Sequence, residues 1–246
     1  LYTYFYPKNL GKFISCLFIY ILFIFVFPHN SKSEEENMNV IYQNSLESAN
    51  FCKKTLLDKN DIVKVGNIIC AYGSINKEFS QKFSSIQVDN GMYVVFKSGG
   101  GDLLSSVDVG NHLLNKDITV VVSEFCLSGC ANYAFLAAKR KVVLQNSFVA
   151  WHGGAVDPAL STPDVIEIRI KEREAEDKFF QKVNINPKLI RDIPSGTDIT
   201  EETKKNRLWS HAPKVLREKW KIPGIVYMWF PVPSESDPIP VATLTK

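Results

Sequence analysis

Apolar and polar runs alternate along the chain in a pattern that predicts short strands and helices, and the first apolar run stands apart from the others. Lys8 and Lys12 precede a fifteen-residue apolar stretch, Phe13 to Phe27, which closes at Pro28 and a polar segment. That length fits the hydrophobic region of a secretory signal and falls short of the ~20 residues a spanning helix usually needs. Residues 1–33 are therefore expected to be a signal peptide cleaved after Ser33, or an uncleaved N-terminal membrane anchor. In either case, lysines before the run and Glu34-Glu35-Glu36 after it favour export of the remainder. Residues 34–60 are polar, with one amphipathic stretch from Phe51 to Leu57, and are expected to be a tether.

Residues 61–230 carry the pattern of one α/β domain. Ile62 to Ile75 is β-branched and ends in turn residues, which predicts a strand. Gly91 to Phe96 predicts a second, and the run after it places Leu103, Leu104, Val107 and Leu113 near helical spacing, with His112 as an ordinary helix residue. Ile118 to Ser123 is continuously apolar, as in a strand buried on both faces. A helix from about Ser128 to Ala138 and strands at Lys141 to Leu144 and Ser147 to Trp151 follow. Ala155 to Thr162 is expected to be a loop, and Pro163 to Val183 a long helix with an apolar stripe and a solvated charged face. Shorter helices near Pro187 to Asp192 and Ala212 to Trp220 complete the domain, and the proline-rich tail 231–246 is expected to be extended or disordered. Strands alternating with helices imply a largely parallel sheet flanked by helices.

Composition agrees with one globular core: 45% of the 246 residues are hydrophobic. A net charge of +3, scattered among acidic residues, leaves no electrostatic footprint for a nucleic-acid partner. Beyond Cys16, four cysteines remain, Cys52, Cys70, Cys126 and Cys130, and an exported chain can oxidise them. Of the three possible pairings, the local one, Cys52 with Cys70 and Cys126 with Cys130, is preferred because the second pair lies one helical turn apart. The alternative is free, buried thiols. No metal site is expected, since CxxxC lacks a second cysteine pair and His112, His152 and His211 show no ligand spacing.

The chemistry concentrates between Val94 and Gly153. A serine hydroxyl attacks only when a base takes its proton, and the oxyanion it creates needs preorganised donors. Ser128 follows the buried strand and opens a helix, where backbone N–H groups are unpaired and the dipole favours negative charge. Gly129 comes next, and the turn Gly99-Gly100-Gly101 lets a second backbone amide approach a substrate. His152 ends another apolar strand and is the candidate base. Taken singly, each has an ordinary reading: a helix cap, a tight turn, a hydrogen-bonded histidine. The GGGD turn also lacks the later glycine and lysine of a phosphate-binding loop.

Ile69 to Gly153 resembles the Clp-type serine peptidases of the ClpP/crotonase superfamily, and within it an exported group bearing a CxSxC nucleophile segment, here Cys126 to Cys130. Ser98-Gly99-Gly100-Gly101 matches that family's SPGG turn with glycine in place of proline, and Leu136-Ala137-Ala138 matches the small-residue end of the nucleophile helix. Lys139-Arg140, Gln145-Asn146-Ser147 and His152 match the segments that follow, with Ser128 and His152 separated by 24 residues. The resemblance implies repeated β-β-α units with a largely parallel sheet and flanking helices. It implies Ser128 as nucleophile, His152 as general base, and the amides of Gly101 and Gly129 as the oxyanion hole. Peptide or protein substrates, no cofactor and a homo-oligomer are implied as well. Ungapped alignment on the Leu-Ala-Ala run would place Cys130 at the nucleophile position, but the distance to His152 favours Ser128. For the third triad member the family order points to Asp192, Asp198, Glu201 or Asn206, of which Asp198 is chosen; without it the site would be a dyad or inactive. The expected protein is thus an exported, periplasmic or inner-membrane-tethered serine peptidase. The alternatives are a catalytically degenerate binding or scaffold protein on the same fold and a crotonase-type acyl-thioester enzyme.

Overall fold

The computed structural model describes residues 35–192, 208–230 and 239–241. The chain divides into two compact units, residues 1–41 and 42–246. In the first, the described residues 35–41 are helical. No described helix is long and apolar enough to cross a membrane, and the run from Phe13 to Phe27 lies outside the described residues.

The second unit opens on helix α1, residues 42–56, where the polar pattern suggested a tether. Its inner face is Ser45, Ser48, Ala49, Cys52 and Leu56, all buried and spaced for one side of a helix. Small residues make that stripe look polar in sequence. Cys52 is joined to Cys70, which fastens α1 to the sheet.

The single strand expected from Ile62 to Ile75 is a hairpin, β1 (Ile62–Val65) and β2 (Ile68–Tyr72), turning at Gly66 with φ +57°. Helix α2 (Lys77–Ser84) follows, capped by the Asn76 side chain; with only Phe79 and Phe83 apolar, its pattern is too sparse to stand out in the sequence. Then come β3 (Tyr93–Ser98), helix α3 (Leu103–Leu113) capped by Asp102, and β4 (Thr119–Leu127). A helical turn containing the π-helical segment Cys130–Phe135 leads to β5 (Arg140–Val143) and β6 (Phe148–Ala150). The main sheet runs β1-β2-β3-β4-β5-β8, where β8 is Ile225–Met228, and β6 pairs with β4. Every pairing except β1–β2 is parallel, as the buried runs of β3 and β4 predict.

After a turn at Pro163–Val165, helix α4 (Ile166–Val183) overturns the expected stripe. Its buried residues are Glu172, Glu176, Phe179 and Phe180, whereas Ile166, Ile168 and Ile170 are exposed. The face is set by the heptad relation of Glu172 to Phe179, and arginines make the buried glutamates tolerable. Short helices α5 (Lys188–Arg191) and α6 (Pro213–Glu218) lie where the sequence placed them. A small antiparallel pair, β7 (Leu208–Ser210) with β9 (Ile239–Val241), draws three tail residues into a strand; residues 231–238 and 242–246 lie outside the described residues.

The Cys52–Cys70 bond closes a separation of 18 residues. Chain-entropy reasoning puts its contribution at about 3 kcal/mol. Replacing both cysteines with alanine should lower the denaturant midpoint accordingly, and reducing agent should then have no further effect through this pair. An unchanged midpoint would exclude the Cys52–Cys70 bond as a source of stability.

Candidate active site

The site begins with a kink in β4. Thr119 to Val122 pair with Arg140 to Val143 of β5, but Phe125, Cys126 and Leu127 pair with Phe148, Val149 and Ala150 of β6. The change of partner occurs at Glu124, whose φ is +70° and whose N–H donates to Ser147 Oγ at 2.8 Å. The β5–β6 turn that supplies Ser147 also contains Asn146 at φ +60°. One long strand thus serves two neighbours in succession, and its end is aligned with the strand that carries the histidine.

Ser128 sits at the sharp turn beyond β4, with φ +52°. Its N–H donates to Ala150 O at 3.0 Å, and its carbonyl accepts from Asn132 N at 2.7 Å as the helix begins. A non-glycine residue in left-handed conformation is strained, and such strand-to-helix elbows project a side chain clear of the backbone. Cys126 and Cys130 bracket the serine and are joined to each other. Cys130, held in that bond, has no free thiol to compete as nucleophile.

Ser128 Oγ and His152 Nε2 are 2.7 Å apart, within direct hydrogen-bond reach. Burial lowers the His152 pKa from its usual 6.5, so the ring is neutral at pH 7 and free to accept a proton. The backbone around it is fixed on both sides. Trp151 exchanges hydrogen bonds with Trp209 at 2.8 and 2.9 Å, and His152 O accepts from Asn132 Nδ2 at 3.2 Å.

The glycine turn closes over this pair. Gly100 has φ +82°, and a Cβ on it would fall 2.6 Å from both Gly129 N and Leu127 O, so only glycine fits. Gly101 N lies 3.6 Å from the position a Cβ on Gly129 would occupy, which makes the two proposed donor residues neighbours. Neither of their amides donates to a partner among the described hydrogen bonds. Asn60, Ser74, Lys97 and Phe125 join Gly99 to Gly101, Ser128 and His152 around a cleft of about 470 Å³. Lys97 is ion-paired with Asp58 at 2.9 Å and Glu124 at 2.7 Å. A larger cavity of about 740 Å³, between the end of α4 and Lys219 to Lys221, contains neither Ser128 nor His152.

Of the residues proposed for the third role, Asp198, Glu201 and Asn206 lie outside the described residues. Asp192 ends α5, with its N–H on Lys188 O, and makes no described hydrogen bond to His152. Sequence reasoning missed Asn132, Lys97 and Asn60. Asn132 carried a usable signal: it lies one helical turn beyond Ser128 and so shares its face. The others come from distant strands and loops with no local pattern. Among the described residues, no cluster of His, Cys, Asp or Glu could hold a metal ion.

No family model matches the chain, and no curated protein matches it. Among solved structures, it is similar to ClpP1 from Listeria monocytogenes at 22% identity and a TM-score of 0.34, covering 49% of this chain and 80% of that one. A point mutant of ClpP1 from the same organism gives 18% identity and a TM-score of 0.36, covering 53% of this chain and 77% of that one.

Two outcomes follow from the geometry. The Cys126–Cys130 bond closes a separation of 4 residues around Ser128. Reducing it frees a strained turn and removes a constraint of about 2 kcal/mol, so acylation of Ser128 by a fluorophosphonate should slow on reduction and recover on reoxidation. An equal rate in both states would deny the bond any role in holding the elbow. The lowered His152 pKa also sets a sign. Between the folded value and about 6.5, the unfolded chain binds the extra proton and the native state does not. Stability therefore declines as pH falls through that window, and the acid limb of the acylation rate should have its midpoint below pH 6.5. A midpoint above 6.5 would contradict burial as the controlling influence.

Proposed function

We propose that the protein is a Clp-like serine peptidase that hydrolyses peptide bonds through an acyl-enzyme on Ser128. The observation that carries this reading is the 2.7 Å contact between Ser128 Oγ and the neutral His152 ring beside two neighbouring glycine amides. His152 Nε2 takes the hydroxyl proton as Oγ attacks the scissile carbonyl carbon. The amides of Gly101 and Gly129 bind the resulting oxyanion. Collapse breaks the C–N bond, and His152 returns the proton to the leaving amine. Water, deprotonated by the same ring, then attacks the ester and releases the carboxylic acid and free Ser128. Asp198 is the proposed group that fixes the ring tautomer, with Asn206 as the competing choice.

Export is part of the same proposal. Two disulfides within one domain suit an oxidising compartment, in keeping with the apolar run at residues 13–27, whether that run is a signal peptide or an anchor. The substrate is accordingly a peptide or protein outside the cytoplasm, and the enzyme acts without a metal or nucleotide.

The test is fluorophosphonate labelling of oxidised full-length protein, followed by mapping of the modified residue and assay on a peptide mixture. Labelling at Ser128, its loss in Ser128→Ala and His152→Ala, and peptide cleavage that disappears with it are the expected results. Asp198→Ala should lower the acylation rate by about 10³-fold or more if Asp198 orients the ring, whereas Asn206→Ala would do so if the amide does. Folded, oxidised protein that takes no label would overturn the reading in favour of a binding protein. Acyl-thioester binding that survives Ser128→Ala would favour a crotonase-type enzyme.

A further inference from the structure

We propose that Glu176 is a positioning residue for His152, tying the backbone that leaves the histidine to the helix that carries Ser128. The inference rests on the peptidase reading of that pair. Glu176 lies inside the charged run of α4 yet is fully buried. One carboxylate oxygen, Oε2, accepts from Ala155 N at 2.9 Å and from Tyr133 Oη at 2.8 Å. Ala155 is three residues beyond His152, and Tyr133 is five beyond Ser128 on the nucleophile helix. A single atom therefore joins the two segments that must hold their reacting side chains at contact distance.

The surrounding groups fix that atom in turn. Arg191 Nε donates to Glu176 Oε1 at 2.8 Å, Arg173 Nη1 lies 3.5 Å from the same oxygen, and Arg173 Nη2 also donates to Ala155 O. Arg191 pairs with Asp177 as well. The backbone after the histidine is thus gripped through both polar groups of Ala155. Gly154 is pressed against the carboxylate so closely that a Cβ there would lie 1.9 Å from Glu176 Oε2. A purely structural ion pair could sit anywhere along α4; this one meets the chain at the first ordered hydrogen-bonding amide after the base. Glu172, one turn earlier and also buried, pairs with Arg169 and makes no described hydrogen bond to either segment.

Small displacements of a base cost rate far more than binding, so loss of this tie should appear in the acylation step. The experiment measures kinact and KI for fluorophosphonate on the full-length, oxidised protein, with melting followed in parallel. In Glu176→Ala, kinact should fall by about 10- to 100-fold with KI unchanged, and Tyr133→Phe should lower kinact while keeping every charge of the cluster. The double variant should be no slower than Glu176→Ala alone, because both act through one contact. Glu172→Gln should keep the wild-type kinact whatever it does to melting. Where Glu176→Ala does not fold, Tyr133→Phe decides. A folded variant with kinact within about twofold of wild type, well short of the loss a displaced base causes, overturns the role of Glu176 and leaves the peptidase reading intact. An equal loss in Glu172→Gln overturns it too, by showing that general destabilisation suffices. Wild-type protein that takes no label overturns the peptidase reading itself, and the positioning role with it.

Discussion

The parallel register between the last three residues of β4 and β6 is the constraint on which the site depends. Leu127 stands opposite Ala150, and the next residue on one strand, Ser128, donates its N–H to Ala150 O. His152 is two residues beyond that acceptor. A one-residue slip would turn every side chain of β6 to the other face and carry His152 away from the serine. The register is set by the kink at Glu124 and the turn at Asn146, which hold each other through the Glu124 N–H to Ser147 Oγ hydrogen bond.

Strain is concentrated where that register delivers the chain. Ser128 in the left-handed region costs on the order of 1–3 kcal/mol. The opposing forces are local and identifiable: the disulfide across Cys126 and Cys130, the acceptor at Ala150 and the fit of Gly100 against Leu127 and Gly129. Behind them lies a sheet whose central strands bury Val94 to Phe96 and Thr119 to Val122 completely. The elbow does not relax, because relaxing it would open the β4–β6 ladder, the bonded cysteines and the glycine contact together.

The sequence made some of this plain and concealed the rest for physical reasons. Strands β3 to β6 and helix α3 were legible because continuous apolar runs and end caps are local signals. Ser128 and His152 were legible because each follows such a strand and small residues surround them. The hairpin at Gly66 merged into one apolar run, since both its strands contribute buried residues to the same core. Helix α1 was hidden because its inner face is built from Ser45, Ser48 and Ala49, which register as polar or neutral. Glu176 was hidden by the opposite effect. A buried carboxylate in a charged run reads as solvent-facing until the arginines and Tyr133 that surround it are known, and these come from three separate stretches of chain.

The helix that begins at Ser128 explains why those scattered contributions converge. Asn132 holds the His152 carbonyl, Tyr133 reaches Glu176, and Ser128 meets the imidazole, all within two turns of one helix. The separation of serine and histidine is therefore a property of one helix against one strand end, and distant segments act by gripping those two. The position of the ring is thereby settled, but its proton is not. For Nε2 to accept from Ser128, Nδ1 must carry the hydrogen, and that requires an acceptor behind the ring. Burial lowers the pKa of His152, whereas a carboxylate behind it would raise the pKa by favouring the imidazolium. An amide would fix the tautomer without that charge. A carboxylate and an amide behind the ring therefore differ in the charge they would set beside it. A carboxylate would stabilise an imidazolium more strongly than an amide dipole could.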